Sequence, residues 1–177
     1  MSVVDRRTIL LALALAGCAT TPAAPEPEFH PTGEVLSYDR NASFDATRVK
    51  SVFGNMRMRE DGSWGGVLAN KGVDVSVDDV TVRGVDLFVS REESRKGKTI
   101  ITAQIQGNIY RFEFVGDRAL IRTPSVSLTF DGRVGGQGYA KYGTMGELTL
   151  KGDASKENPP WPQFAFALIA AFGGGGM

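Results

Sequence analysis

The sequence predicts an all-β domain, either an antiparallel β-sandwich or a small β-barrel, followed by a short apolar C-terminal segment. From about residue 35 to residue 152, apolar and polar residues alternate with a period of two, which is the pattern of half-buried strands. Residues typical of turns recur about every 8–12 positions, a spacing found in sandwiches and barrels. Glycine, which favours tight turns, accounts for 22 of the 177 residues. About eight to ten short strands are therefore expected.

The alternation places individual strands along the chain. Residues 55–59 alternate polar and apolar side chains, and Asp61-Gly62 then provides a hairpin turn. Residues 73–77 place three valines on one face of the next strand. Between residues 80 and 89 the apolar positions change from even to odd numbers, which predicts a β-bulge or a bent strand.

Three aromatic residues share one face of a later strand. Tyr110, Phe112 and Phe114 alternate with polar residues, and Gly116-Asp117 forms the turn that follows. In a packed domain these rings would belong to the core. In a closed or half-open barrel they would line a cavity, so Tyr110, Phe112 and Phe114 are the candidate residues for binding an apolar ligand.

Three polar segments predict no site. Residues 135–141 (GGQGYAK) fail the phosphate-loop and dinucleotide patterns and predict a flexible connection between strands. Residues 91–98 (REESRKGK) mix both charge signs, which indicates a solvent-facing hairpin tip, with a protein contact as the alternative. The carboxylates among residues 74–79 lack the spacing of a calcium loop and favour a solvated strand edge.

The C-terminal segment differs from the rest of the domain. The proline-rich residues 158–162 end the strand pattern, and residues 163–172 (QFAFALIAAF) are apolar on all sides. As a helix this segment is about 15 Å long, too short to cross a bilayer. It either packs on the sheet or plugs a barrel, or it docks on a partner or on the bilayer. In the second case the contact residues would be Phe164, Phe166, Leu168, Ile169 and Phe172.

Several chemistries lack the residues they need. The only histidine, His30, and the only cysteine, Cys18, both precede the predicted strands. Catalytic triads, thiol nucleophiles, disulfides and metal sites built on imidazole or thiolate are therefore not expected in the domain. We predict no catalytic residue, no metal and no cofactor. Lys+Arg and Asp+Glu both number 20, so no net positive field would attract nucleic acid.

The N-terminus has the three-part layout of a secretory signal. Arg6 and Arg7 precede an apolar run over residues 8–16, and small residues lead to Cys18. The run is too short to span a membrane. Leu15-Ala16-Gly17-Cys18 resembles the lipobox of bacterial lipoproteins.

The resemblance implies that the Cys18 sulfur receives a diacylglyceryl group before cleavage ahead of Cys18. The new amino terminus is then acylated, with palmitate a common chain. Two or three acyl chains, at about 0.8 kcal/mol per buried CH₂, hold a protein firmly in a membrane. Ala19, where an aspartate retains lipoproteins in the inner membrane, favours the outer membrane. Arg6-Arg7 leaves twin-arginine export open beside the general route.

The prolines after Cys18 indicate an extended tether about 40 Å long between the lipid and a domain that lies in the periplasm. The predicted organisation has four parts: 1–17 signal peptide, 18–33 lipidated tether, 34–156 β-rich domain, and 157–177 proline-rich break, apolar segment and glycine tail.

The sequence therefore predicts a lipoprotein of the bacterial cell envelope, anchored in the membrane through acylated Cys18. Its domain is expected to be a non-enzymatic binding or structural module, whose partner would be another envelope protein, a glycan or the cell wall. One alternative is a β-barrel carrier of an apolar ligand. A less favoured alternative is a hydrolase with two catalytic carboxylates, a pair that sequence spacing cannot identify.

Overall fold

The structure, a computed structural model, describes residues 28–37, 40–94, 98–132, 135–140 and 143–173. These residues form a closed antiparallel barrel of fourteen strands that surrounds one α-helix. The all-β class is thereby confirmed, in its barrel form. The predicted signal peptide, Cys18 and residues 19–27 of the predicted tether lie outside the described residues.

The strands are short, and most contain four to eight residues. Their bounds are β1 (Gly33–Ser37), β2 (Arg40–Phe44), β3 (Arg48–Ser51), β4 (Gly54–Met58), β5 (Trp64–Leu68), β6 (Lys71–Val77), β7 (Thr81–Gly84), β8 (Leu87–Ser94), β9 (Lys98–Ile105), β10 (Asn108–Val115), β11 (Arg118–Arg122), β12 (Ser127–Asp131), β13 (Gly136–Ala140) and β14 (Gly143–Gly152). A 3₁₀ turn (Asp153–Ser155) and helix α1 (Gln163–Phe172) follow.

Each strand pairs with the next one along the chain, and β14 pairs with β1 to close the barrel, from Gly33 opposite Gly152 to Ser37 opposite Leu148. We call the end at which residues 28–32 join β1 the near end. The turns β2–β3, β4–β5 and β6–β7 lie there. The opposite, far end carries the hairpins β3–β4, β5–β6, β7–β8 and β9–β10.

Turn chemistry explains several of these connections. Ala69-Asn70 and Gln106-Gly107 have positive φ at both positions, which gives two-residue turns whose twist matches that of the strands they join. At the near end, the Asp78 carboxylate accepts hydrogen bonds from the backbone N–H groups of Val80 and Thr81, at 3.0 and 2.6 Å. Asp61-Gly62 lies in the β4–β5 turn, as the sequence predicted.

Helix α1 fills the barrel interior. It begins at the near end and runs toward the far end, and residues 164–171 are all at most 2% exposed. Its rings contact opposite walls: the ring centroids of Phe166 and Trp64 on β5 lie 5.3 Å apart, and those of Phe164 and Phe114 on β10 lie 5.4 Å apart. A helix that is apolar on every side is most stable when it is enclosed.

Polar contacts fix the two ends of the helical segment. At the near end, the Trp161 indole N–H donates to the Asp78 carbonyl at 2.9 Å, and the Gln163 amide donates to the Ala46 carbonyl at 2.7 Å. At the far end, the Tyr110 hydroxyl donates to the Gly173 carbonyl at 3.3 Å. Among the described residues, the structure has no helix whose length and apolar character would let it span a bilayer.

Candidate functional site

The predicted ligand-binding residues lie in the interior. Tyr110, Phe112 and Phe114 all face the lumen from β10, and each is at most 8% exposed. The Phe112 ring centroid lies 6.2 Å from that of Phe172, and Tyr110 is bonded to the end of α1. These rings therefore face inward as expected, but α1 occupies the space in which an apolar ligand would lie.

The predicted partner-binding residues lie on the same helix. Phe164, Phe166, Leu168 and Ile169 are buried inside the barrel, and Phe172 is half-buried. Of the two interpretations of residues 163–172, the structure therefore has the one in which the segment plugs the barrel. In this arrangement the strands enclose Phe164, Phe166, Leu168 and Ile169, so these four side chains are not accessible to a partner or to a bilayer, whereas Phe172 remains partly exposed.

The structure also shows where the three polar segments of the sequence lie. Residues 136–140 form strand β13, where the sequence predicted a flexible connection. Residues 91–94 and 98 belong to β8 and β9, which converge at the near end on a tip outside the described residues. Asp74 forms an ion pair with Arg59, and no group of three or more potential metal ligands occurs in the described part of the chain.

A cleft of about 270 Å³ opens at the far end of the barrel. It lies between the first residues of β6 and the β7–β8 hairpin. Its apolar wall is formed by Val73, Leu87 and Ile105, which face inward at the rim of the lumen. The rest of the lining consists of the charged and polar residues Lys71, Asp74, Asp86 and Gln106 together with Gly72, Gly84 and Val85.

The cleft exists because β6 is longer than β7. Strand β6 pairs with β5 from Lys71 to Val75, but with β7 only from Val75 to Val77. In an antiparallel ladder, alternate residues direct their backbone groups to opposite neighbours. The backbone groups of Gly72 and Asp74 therefore face the β7 side, beyond the last residue that β7 offers for pairing. The closed barrel has a short open strand edge at this point.

Exposed apolar side chains lie beside the cleft. Val85, at the tip of the β7–β8 hairpin, is 100% exposed, and Phe88 and Ile109 are 41% and 60% exposed. Phe88 and Ile109 flank Gln104 across the outer faces of β8, β9 and β10. The Arg83 guanidinium lies 5.8 Å from the centre of the Phe88 ring. We refer to the cleft together with Val85, Phe88 and Ile109 as the far-end surface.

The far-end surface was not among the sites predicted from the sequence. The one signal for it was the change of apolar phase between residues 80 and 89, which predicted a bend and falls on the β7–β8 hairpin. Nothing in the sequence distinguishes Val85 and Phe88 from core residues, because Val85 alternates with Leu87 and Val89 and Phe88 lies between those two residues. The open edge at Gly72 depends on the relative lengths of β6 and β7.

The far-end surface has the properties of a recognition site. Unpaired strand edges accept hydrogen bonds from an added strand, and neighbouring apolar side chains supply area to bury. No family model, curated protein or solved structure matches the chain. The β-barrel fold is compatible with a binding module or a carrier module.

Proposed function

We propose that the protein is a lipid-anchored module of the bacterial cell envelope that binds an extended segment of a partner protein at its far-end surface and has no catalytic role. The observation that carries this proposal is the filled lumen. Because α1 occupies the interior, a ligand has to bind outside it, and the far-end surface combines exposed apolar side chains with an unpaired strand edge.

The mode of binding follows from the geometry of the cleft. An added strand would pair with the backbone groups of Gly72 and Asp74 on β6. Because side chains alternate along a strand, every second residue of the ligand would point toward Val73, Leu87 and Ile105. The other residues would face solvent and the exposed ring of Phe88. A ligand with alternating apolar residues fits this arrangement.

The point at which the predicted tether joins the barrel also supports binding at the far end. Residues 28–32 reach the barrel at the near end, where the Thr32 N–H donates to the Phe44 carbonyl at 2.8 Å. An Arg48 guanidinium N–H donates to the Glu28 carbonyl at 2.6 Å. If Cys18 carries the lipid, the anchored segment joins the barrel at its near end. The far-end surface would then point away from the membrane.

The two alternatives are less well supported. A carrier of an apolar ligand would need α1 to leave the lumen. A hydrolase would need two carboxyl groups with different environments, one of them in an apolar pocket. Asp74 and Asp86 both line the cleft, but the Asp74 side chain is 74% exposed and ion-paired with Arg59.

A pair of substitutions at Gly72 tests the proposal. Gly72→Pro removes the backbone N–H that faces the cleft, and proline is tolerated at an open strand edge. Gly72→Ala keeps that N–H and has space for its methyl group, since no atom lies within 4 Å of the added Cβ. Peptides selected from a random library on the full-length protein in detergent are expected to bind the alanine variant normally and the proline variant about tenfold or more weakly.

Isothermal titration measures both affinities, and urea unfolding confirms that both variants fold. The proposal fails if no peptide is selected, or if the selected peptides bind the proline and alanine variants equally.

A further inference from the structure

A group of charged side chains lies on the outer wall of β9, β10 and β11, away from the far-end surface. At its centre is Glu113, which is only 8% exposed although it faces outward. One of its oxygens accepts hydrogen bonds from Arg111 Nε at 2.9 Å and from Arg122 Nη1 at 3.1 Å. The other lies 2.8 Å from Lys98 Nζ. We call these four residues the cation cluster.

The cation cluster holds more positive charge than Glu113 neutralises. Arg111 and Arg122 are directly opposite each other on β10 and β11, where like charges repel. Three cations share one carboxylate, so the cluster retains a charge of +2. On β8, Glu92 lies in the same row as Glu113 and is separated from it by Ile100 on the intervening strand. Arg118 lies opposite Val115, in the next outward-facing row toward the near end, and it forms an ion pair with Asp131 at 3.1 Å.

The donors of the cation cluster are only partly used. Glu113 engages Nε of Arg111 and Nη1 of Arg122, which leaves both Nη groups of Arg111 and Nη2 of Arg122 without a protein acceptor within the described part of the chain. The side chains of Arg111, Arg122 and Lys98 are 36%, 52% and 33% exposed, so these donors are accessible from solvent. Guanidinium groups held side by side match the oxygens of an oxyanion.

We propose that the cation cluster is a binding site for a phosphate group, with Arg111, Arg122 and Lys98 as its donors and Glu113 as the residue that positions them. A phosphate monoester carries a charge of about −1.5 to −2 at neutral pH, which matches the residual charge of the cluster. A carboxylate carries one negative charge and leaves part of the cluster uncompensated. The site shares no residue with the far-end surface, so a test that contradicts one proposal does not affect the other.

Inorganic phosphate is the probe for this site. It is titrated calorimetrically into the full-length protein in dodecyl maltoside, at low ionic strength because exposed charges are screened by salt. We expect Arg111→Gln and Arg122→Gln each to weaken phosphate binding about tenfold, and the double substitution to abolish it. Arg118→Gln is the matched control and is expected to leave the affinity unchanged. Acetate should bind the unmodified protein at least about fivefold more weakly than phosphate.

Urea unfolding of each variant separates loss of the site from loss of the fold. No measurable phosphate binding to the unmodified protein overturns the proposal, and so does equal binding by the double variant. Short-chain phosphatidic acid, a water-soluble lipid that carries a phosphate monoester, then identifies the source of the phosphate when it is titrated calorimetrically in the same way. If it binds the unmodified protein at least as tightly as phosphate and the double substitution removes this binding, the ligand is a lipid headgroup, whereas weaker or absent binding of the lipid beside phosphate binding assigns a soluble phosphate compound.

Discussion

At the scale of single residues, the lumen is shaped by glycine as much as by aromatic side chains. Gly33 lies opposite Phe44 on the neighbouring strand, and Gly138 lies opposite Phe130. A Cβ at Gly138 would lie 2.6 Å from the Phe130 ring. The absence of a side chain at these two positions lets each phenylalanine lie across its neighbouring strand, which a sequence pattern of alternating residues does not reveal.

Glu113 should make the stability of the barrel depend on pH. Hydrogen bonds from Lys98 and then Arg111 lower the pKa of Glu113 from its usual value of 4.5. Because the folded-state pKa is depressed, the stabilisation is complete above the unfolded-state pKa and is lost as the pH falls through the lower folded-state value. We expect Glu113→Gln to reduce the free energy of unfolding by about 1–3 kcal/mol at pH 7, since three cations lose the negative charge that they share.

Urea unfolding at pH 7 and at about pH 3 measures this effect. The difference between Glu113→Gln and the unmodified protein should shrink as the pH falls below 4.5. Glu60→Gln, in the exposed β4–β5 turn, is the control and should change the unfolding free energy by less than about 0.5 kcal/mol at both pH values. A deficit for Glu113→Gln that is the same at both pH values would show that charge pairing is not its cause.

At the scale of elements, the sequence predicted the positions of strands better than their number. Fourteen strands replace the eight to ten expected, because several hairpins have turns that composition does not mark. Val52-Phe53 joins β3 to β4, and Val85-Asp86 joins β7 to β8. Valine at an exposed turn position looks, in the sequence, like the continuation of a strand. The turns at Asp61-Gly62 and Gly116-Asp117 were predicted correctly.

Helix α1 is expected to be the element whose packing contributes most to stability. Phe166 is fully buried against Trp64, whereas Phe88 is 41% exposed on the outer wall, so the same substitution can be compared in both settings. Phe166→Ala should lower the free energy of unfolding by about 3–5 kcal/mol, the usual cost of deleting a buried phenyl ring. Phe88→Ala should cost less than about 1 kcal/mol.

Urea unfolding followed by tryptophan fluorescence measures both variants. If the two substitutions have similar costs, α1 does not lie in the lumen in solution. The carrier alternative would then regain support, because Phe112 and Phe114 would be free to line a cavity.

At the scale of the whole molecule, closure of the barrel determines what the apolar C-terminal segment can do. The sequence left its role open, because ten apolar residues fit an enclosed helix and a docking helix equally well. The pairing of β1 with β14, over a hundred residues apart, encloses the lumen that α1 fills. Neither that pairing nor the unequal lengths of β6 and β7 follows from local periodicity, so the far-end surface could not be predicted from sequence.

The proposed lipid anchor determines which end of the barrel faces the membrane. A substitution of Cys18 tests that anchor. In cells labelled with a palmitate analogue, the unmodified protein should carry label and Cys18→Ala should carry none, because an alanine side chain has no sulfur to receive the diacylglyceryl group. The variant should also keep residues 1–17 and migrate as the larger precursor. Thr20→Ala, two residues away in the tether, is the control and should be labelled and processed normally. Label on Cys18→Ala, or an unmodified protein that retains residues 1–17, would remove the basis for placing the near end toward a membrane.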